Sequence, residues 1–257
     1  MIKVVFFDID GTLLDGNKGI PKSSIVALGK LREKGIKTVI CTGRGYSEIR
    51  PLNLKDFDAY ILLNGQICFD DTGEIIFENE LSKKTKDKLI KFFNEKKFPF
   101  GLCTAKRSYL NYVNENIIAV HDSLNCPVPE VDIYRGEKIY QALSYGNIEL
   151  RKYLEKELEE CSLTSWNGDG MDIVAKGSSK ASGVKRYIEK FGIDLKDTMA
   201  FGDGENDIDM LKYVDKGICM GNGLDSVKEI ADYVTDRIDE DGLYNALVHF
   251  GVIKKEV

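Results

Sequence analysis

Along its amino-terminal part the chain alternates short unbroken apolar runs with amphipathic stretches. Val4 to Phe7 is too short for a helix, is β-branched and aromatic, and ends sharply. It predicts a strand of a parallel sheet, buried on both faces. Pro21-Lys22-Ser23-Ser24 offers helix-start chemistry, Ile25, Leu28 and Leu31 recur on one face, and Gly35 stops the helix. Ile36 to Cys41 is a second strand, so strand, helix and strand make a βαβ unit whose strands run parallel. Ala59 to Leu63 is a third buried strand, closed by Asn64-Gly65. Ile67 to Phe69 and Glu74 to Phe77 flank Asp71-Thr72-Gly73 as a hairpin.

From Ser82 the pattern changes. A lysine-rich helix to about Lys97 carries Leu89, Ile90, Phe92 and Phe93, and a second charged helix runs from Glu149 to Glu160. Short strands, turns and polar connections are expected from Phe98 to Asn147, with Pro127 and Pro129 as punctuation. Helices alternating with short strands predict a small α/β domain over 82–175, inserted between core segments 1–81 and 176–257. Its aromatics, Tyr109, Tyr112, Tyr134, Tyr140, Tyr145 and Trp166, are expected to be exposed, as pocket lining or as ordinary packing. The first pattern returns at Lys176. Lys180 leads into a helix with Val184, Tyr187 and Ile188, then come a strand at Thr198 to Phe201 and a helix from Ile208. Gly217 to Gly223 reads as a strand and turn, Asp225 to Ala231 as a helix, Asp232 to Thr235 as an edge strand, and Gly242 to Phe250 as the last helix.

Composition narrows the classes. The 257 residues, 43% hydrophobic and 30% charged, suit one large globular domain or two modest ones. A net charge of −6 disfavours a nucleic-acid partner, but it leaves room for an anionic small substrate where a metal ion and lysines focus positive charge. The six cysteines are scattered without a C-x-x-C pair, which predicts buried free thiols rather than a disulfide framework. His121 and His249 lack metal-ligand spacing and are expected at packing or surface positions. No signal peptide is evident, and no stretch approaches the ~18 apolar residues of a membrane span. A cytoplasmic protein with no membrane partner, monomer or homodimer, is the expectation.

The chemistry gathers where strands end. Asp8 and Asp10 stand at the carboxyl end of the first strand, where open α/β sheets place their ligands. Two carboxylates that close repel unless a cation or shared proton intervenes, and Mg²⁺ is a natural partner; the alternative is a solvated acidic turn. Thr42-Gly43-Arg44 ends the second strand with a hydroxyl, a close-approach glycine and a guanidinium, suited to a phosphate or equally to a plain turn. Gly202-Asp203-Gly204-Glu205-Asn206-Asp207 again sets acids between a strand and a helix, costly to hold together without a cation. The twelve-residue spacing of an EF-hand is absent.

These separated signals, Asp8-x-Asp10-Gly11-Thr12, Thr42-Gly43-Arg44, Lys180 and Gly202-Asp203-x-x-Asn206-Asp207, stand in the order of the motifs of the haloacid dehalogenase-like superfamily. The insertion point resembles that of its Cof-type phosphatases; Ala181 after Lys180 departs from the glycine common there. The resemblance implies an α/β fold, a Rossmann-like parallel-sheet core with an inserted α/β cap. It also implies a Mg²⁺-dependent phosphatase acting on small phosphate esters, sugar or cofactor phosphates, through an aspartyl-phosphate. Asp8 would be the nucleophile and Asp10 the acid and base. Asp8, the Asp10 carbonyl and Asp203 would hold the metal, with Asp207 as ligand or support. Thr42, the Gly43 amide, Lys180 and Asn206 would hold the phosphoryl group, and Arg44 and Asn64 would face the rest of the substrate. A phosphosugar mutase of similar fold and a non-catalytic phosphometabolite sensor are the alternatives.

Overall fold

The computed structural model describes residues 1–16, 19–49, 57–123, 126–166 and 169–255. The chain divides into two compact units, one of Met1–Gly43, Lys55–Phe77 and Ser179–Val257, the other of Arg44–Leu54 and Glu78–Ser178.

The first unit is built on an eight-stranded sheet, five of whose members surround its centre. β1 (Val4–Phe7) pairs in parallel with β2 (Lys37–Cys41) on one side and with β11 (Thr198–Gly202) on the other. β3 (Ala59–Leu62) continues beyond β2, and β12 (Lys216–Cys219) continues beyond β11, both in parallel. β4 (Ile67–Asp70) returns antiparallel to β3, with β5 (Ile75–Glu78) after it, and β13 (Tyr233–Val234) closes the far edge in parallel. The unbroken apolar run of β1 is explained by this position, since Val4, Val5, Phe6 and Phe7 are all fully buried. Each such side chain contributes roughly 1.5–3 kcal/mol relative to exposure.

Helix α1 (Lys22–Glu33) starts after Pro21 and stops before Gly35, as the sequence suggests, but it buries a different stripe. Ser24, Ala27 and Leu31 face inward, whereas Ile25 is 56% exposed. The small side chains lie on the inner face of the helix, where it packs on β2 and on α9 (Gly242–His249), leaving Ile25 outside. Helix α6 (Lys180–Phe191) buries Val184, Tyr187 and Ile188 against the sheet and ends at left-handed Gly192. Helix α7 (Ile208–Tyr213) follows a 3₁₀ turn at Glu205–Asp207. α8 covers only Asp225–Lys228, shorter than its amphipathic pattern suggests.

The second unit includes α2 (Tyr46–Ile49) and a five-stranded antiparallel sheet in the order β7 (Ser108–Leu110), β6 (Phe100–Cys103), β8 (Gln141–Tyr145), β10 (Gly170–Ala175), β9 (Cys161–Trp166). Helices α3 (Lys83–Glu95) and α5 (Ile148–Glu157) supply Leu89, Phe92, Phe93 and Leu154 to its core. A further helix, α4 (Glu115–Ser123), occupies a stretch read from sequence as turns and short strands.

The expectation of exposed aromatics is corrected here. Tyr109, Tyr140 and Tyr145 are almost wholly buried. Each ring packs inside while its hydroxyl reaches a polar group: Glu137 for Tyr109, Glu78 for Tyr140 and His121 Nε2 for Tyr145. Tyr112 and Tyr134 are half-buried, and the Trp166 side chain lies outside the described residues. His121 is buried against Tyr145, and His249 is an exposed residue stacked on Tyr233. All six cysteines are free thiols. Among the described residues no helix is long and apolar enough to cross a membrane.

Candidate active site

Parallel pairing lines up the carboxyl ends of β11, β1, β2 and β3, and several of the candidate residues lie just beyond them. Asp203 follows β11, Asp8 follows β1, Thr42 and Gly43 follow β2, and Asn64 follows β3. Lys180 is the first residue of α6, whose start is tied by the Ser179 amide donating to the Ser182 hydroxyl at 3.1 Å. Asn206 and Asp207 lie on the 3₁₀ turn after β11.

The strongest contact joins three of these elements. Lys180 Nζ donates to Asp8 Oδ1 at 2.5 Å and to Asp207 Oδ1 at 2.6 Å, with the lysine only 1% exposed. Asp207 Oδ2 accepts from the amides of Asp203 and Gly204, both at 3.0 Å, so both oxygens of that buried carboxylate are engaged. Asp203 Oδ1 accepts from the Thr12 hydroxyl at 3.1 Å. Gly11 has φ +79°, and a Cβ there would lie 2.3 Å from Asp203 Oδ2. The glycine after Asp10 is therefore required twice, by its left-handed backbone and by the carboxylate against it.

Asp8, Asp203 and Asp207 offer carboxylate oxygens all within 4.8 Å of one another. Burial pushes Asp8 well above the ordinary carboxylate range, with Lys180 opposing and Asp207, Asp203 and Asp10 adding to the rise. Burial and then Asp207 push Asp203 up to about 7, against the Thr12 hydrogen bond. Lys180 is penalised by burial, yet the charges of Asp207 and Asp8 hold it above its ordinary value. One ammonium against three carboxylates leaves the cluster two negative charges in excess when all are ionised. Hard oxygen donors with excess negative charge fit a divalent cation.

Other sequence-derived candidates sit outside this cluster. The Asp10 side chain is exposed beside it. The Thr42 amide donates to Ile61 and its carbonyl accepts from the Asn64 amide at 3.1 Å, which fixes both backbones at the strand ends. Arg44 belongs to the second unit. Cys41, whose Sγ lies 3.8 Å from the Lys180 carbonyl, is kept protonated by burial and has no role in the cluster. One further residue reaches the turn after β1 from a loop that carries none of the sequence motifs. Asn222 Nδ2 donates to the Gly11 carbonyl at 2.8 Å, and the only signal was an asparagine between glycines after a strand.

The family model of haloacid dehalogenase-like hydrolases matches residues 5–247. YkrA of Bacillus subtilis (strain 168) is 35% identical over 259 residues, covering 98% of this chain and 99% of that protein. BT1666 of Bacteroides thetaiotaomicron, described among phosphatases of the same superfamily, superposes with a TM-score of 0.89 at 34% identity, over 98% of this chain and 96% of that one. BT4131, described as a subclass IIB sugar phosphatase, gives 0.83 at 34% identity, over 98% of this chain and all (100%) of that one.

Proposed function

The chain belongs to the haloacid dehalogenase-like hydrolase family, and on that premise we propose that it is a Mg²⁺-dependent phosphatase of small-metabolite phosphomonoesters, sugar phosphates first and cofactor phosphates next. The observation that carries this is the Lys180-bridged pair Asp8 and Asp207, clustered with Asp203 at the carboxyl ends of β1 and β11. The description of BT4131 as a sugar phosphatase supports the order of substrates.

Asp8 is the proposed nucleophile. Its carboxylate oxygen bonds to phosphorus as the bond to the leaving oxygen breaks, and Asp10 gives that oxygen a proton. Asp10 then takes a proton from water, the water oxygen bonds to phosphorus, and the Asp8–phosphorus bond breaks to release phosphate. An exposed carboxylate beside the cluster suits Asp10 for this exchange with solvent and substrate. Thr42, the Gly43 amide, Lys180 and Asn206 hold the phosphoryl oxygens, while Asn64 contacts the rest of the ester. Asp8, the Asp10 carbonyl and Asp203 would hold the metal, and Asp207, with both oxygens already engaged, supports Lys180 and the 203–204 backbone. Mg²⁺ bound there would offset the negative charge of nucleophile and phosphate.

Phosphate release from a panel of sugar and cofactor phosphates, with Mg²⁺ or EDTA, tests the proposal. Expected is Mg²⁺-dependent release that Asp8→Asn abolishes. No release from any ester despite bound Mg²⁺ would overturn it.

A further inference from the structure

Two loops must keep a fixed spacing for the carboxylate cluster to exist, the Asp8–Thr12 turn after β1 and the Asp203–Asp207 turn after β11. Beside both runs a third loop, Met220–Leu224, after β12. It touches each of them. The Met220 amide donates to the Gly202 carbonyl and the Leu224 amide to the Asp203 carbonyl, both at 3.0 Å. Gly223 lies so close that a Cβ would stand 3.1 Å from Asp203 Cα and 2.7 Å from Cys219 Sγ. From this loop Asn222 reaches the other turn, with Nδ2 donating to the Gly11 carbonyl at 2.8 Å. Its Oδ1 accepts from the Ile238 amide at 2.9 Å, which braces the side chain from behind.

The choice of asparagine follows from these partners. A carbonyl can only accept and an amide N–H can only donate, so the side chain between them must offer one donor and one acceptor in fixed positions. Gly11 in turn rests on the Asp203 carboxylate, and Thr12 beside it donates to Asp203 Oδ1. The chain of contacts runs from Leu224 and Asn222 through Gly11 and Thr12 back to Asp203, and closes on itself.

We propose that Asn222 is a positioning residue, whose carboxamide sets the distance between the nucleophile turn and Asp203 and so holds the cluster ready for its cation. This rests on the function proposed above, with one independent arm, cation binding in the absence of substrate. Asn222→Asp keeps the acceptor for the Ile238 amide and removes the donor to Gly11. Outer residues that orient metal-binding groups are worth about 10–100-fold in metal affinity or activity. The experiment measures Mg²⁺ affinity by calorimetry without substrate, unfolding temperature in EDTA, and kcat and KM at saturating Mg²⁺. Thr235→Val serves as the control. It removes the Thr235 hydrogen bond to the Gly242 carbonyl, loosening the segment around Ile238 without touching Gly11.

Expected for Asn222→Asp is a Mg²⁺ affinity and a kcat each lower by about 10-fold or more, a near-wild-type KM for the ester, and an unfolding temperature in EDTA close to that of wild type. Thr235→Val should retain Mg²⁺ affinity. Wild-type Mg²⁺ affinity in Asn222→Asp would overturn the proposal, and so would an equal loss in Thr235→Val. A wild-type protein that binds Mg²⁺ but releases no phosphate would overturn the phosphatase assignment alone, leaving the calorimetric comparison to decide on Asn222.

Discussion

Lys180 Nζ and Asp8 Oδ1 lie 2.5 Å apart in the buried floor of the cluster, although 172 residues separate them along the chain. The pair makes each charge tolerable to the other. Breaking a buried pair by removing one partner costs about 3–5 kcal/mol, because the remaining charge stays buried. Lys180→Met keeps most of the length and removes the charge. Urea unfolding in EDTA at neutral pH should show a loss of that order. A loss near zero would mean that the acids simply protonate at no cost to the fold.

Gly11→Ala should damage the site more than the fold. Alanine at φ +79° costs about 1–2 kcal/mol of backbone strain, and its Cβ would displace the Asp203 carboxylate from 2.3 Å. Because Asp203 is also the acceptor of the Thr12 hydroxyl, both turns shift. Mg²⁺ affinity by calorimetry should fall by about 10-fold or more, with a modest drop in unfolding temperature. Unchanged affinity would show that Asp203 can move aside without loss.

Much of this is legible in the sequence, for a local reason. β1 is buried and apolar throughout, β2, β3 and β11 carry buried apolar runs up to their carboxyl ends, and each stops abruptly where polar residues begin. Asp8, Thr42, Asn64 and Asp203 could therefore be placed at strand ends from their immediate neighbours. The rest depends on partners remote in sequence. Ile25 lies off the inner face that hydrophobic periodicity predicts for it, because the inner stripe of α1 is Ser24, Ala27 and Leu31, two of them small residues that such periodicity undervalues. Tyr109, Tyr140 and Tyr145 carry hydroxyls that suggest exposure, but Glu137, Glu78 and His121 lie within hydrogen-bond distance of them in the fold. Asn222 acts on Gly11, 211 residues away, and nothing near either residue announces the other.

Asp10→Asn should separate chemistry from cation binding. The Asp10 side chain is exposed and outside the carboxylate cluster, and only its backbone carbonyl is assigned to the metal. Mg²⁺ affinity should stay close to wild type while turnover of an alkyl phosphate falls by about 10²–10⁴-fold. With a nitrophenyl phosphate, whose leaving group needs no proton, the variant should release one equivalent quickly and then stall as the aspartyl-phosphate. A parallel loss with both esters, and no burst, would remove Asp10 from the acid and base role.

The carboxylate cluster also sets how metal-free stability responds to pH. Asp203 is raised from its ordinary 3.8 to about 7, and Asp8 is raised as well, chiefly by burial. Between about pH 4 and 7 the folded chain therefore holds protons that the unfolded chain has released. Stability is highest where those protons are bound and is lost as pH rises through about 7, by up to about 1.4 kcal/mol per pH unit for each proton. Carboxylates held low by hydrogen bonds, such as Asp70 and Asp197, contribute in the opposite sense only below about pH 4, outside this window. In EDTA the unfolding temperature should fall from pH 5.5 to pH 8. A cation competes with the protons for the same oxygens, so its affinity should rise over that range, and saturating Mg²⁺ should flatten or reverse the slope. Asp203→Asn should flatten the EDTA slope without any metal. A wild-type unfolding temperature in EDTA that rises with pH would mean that these acids are ionised in the folded chain throughout, with water or Lys180 alone sufficient to keep them so.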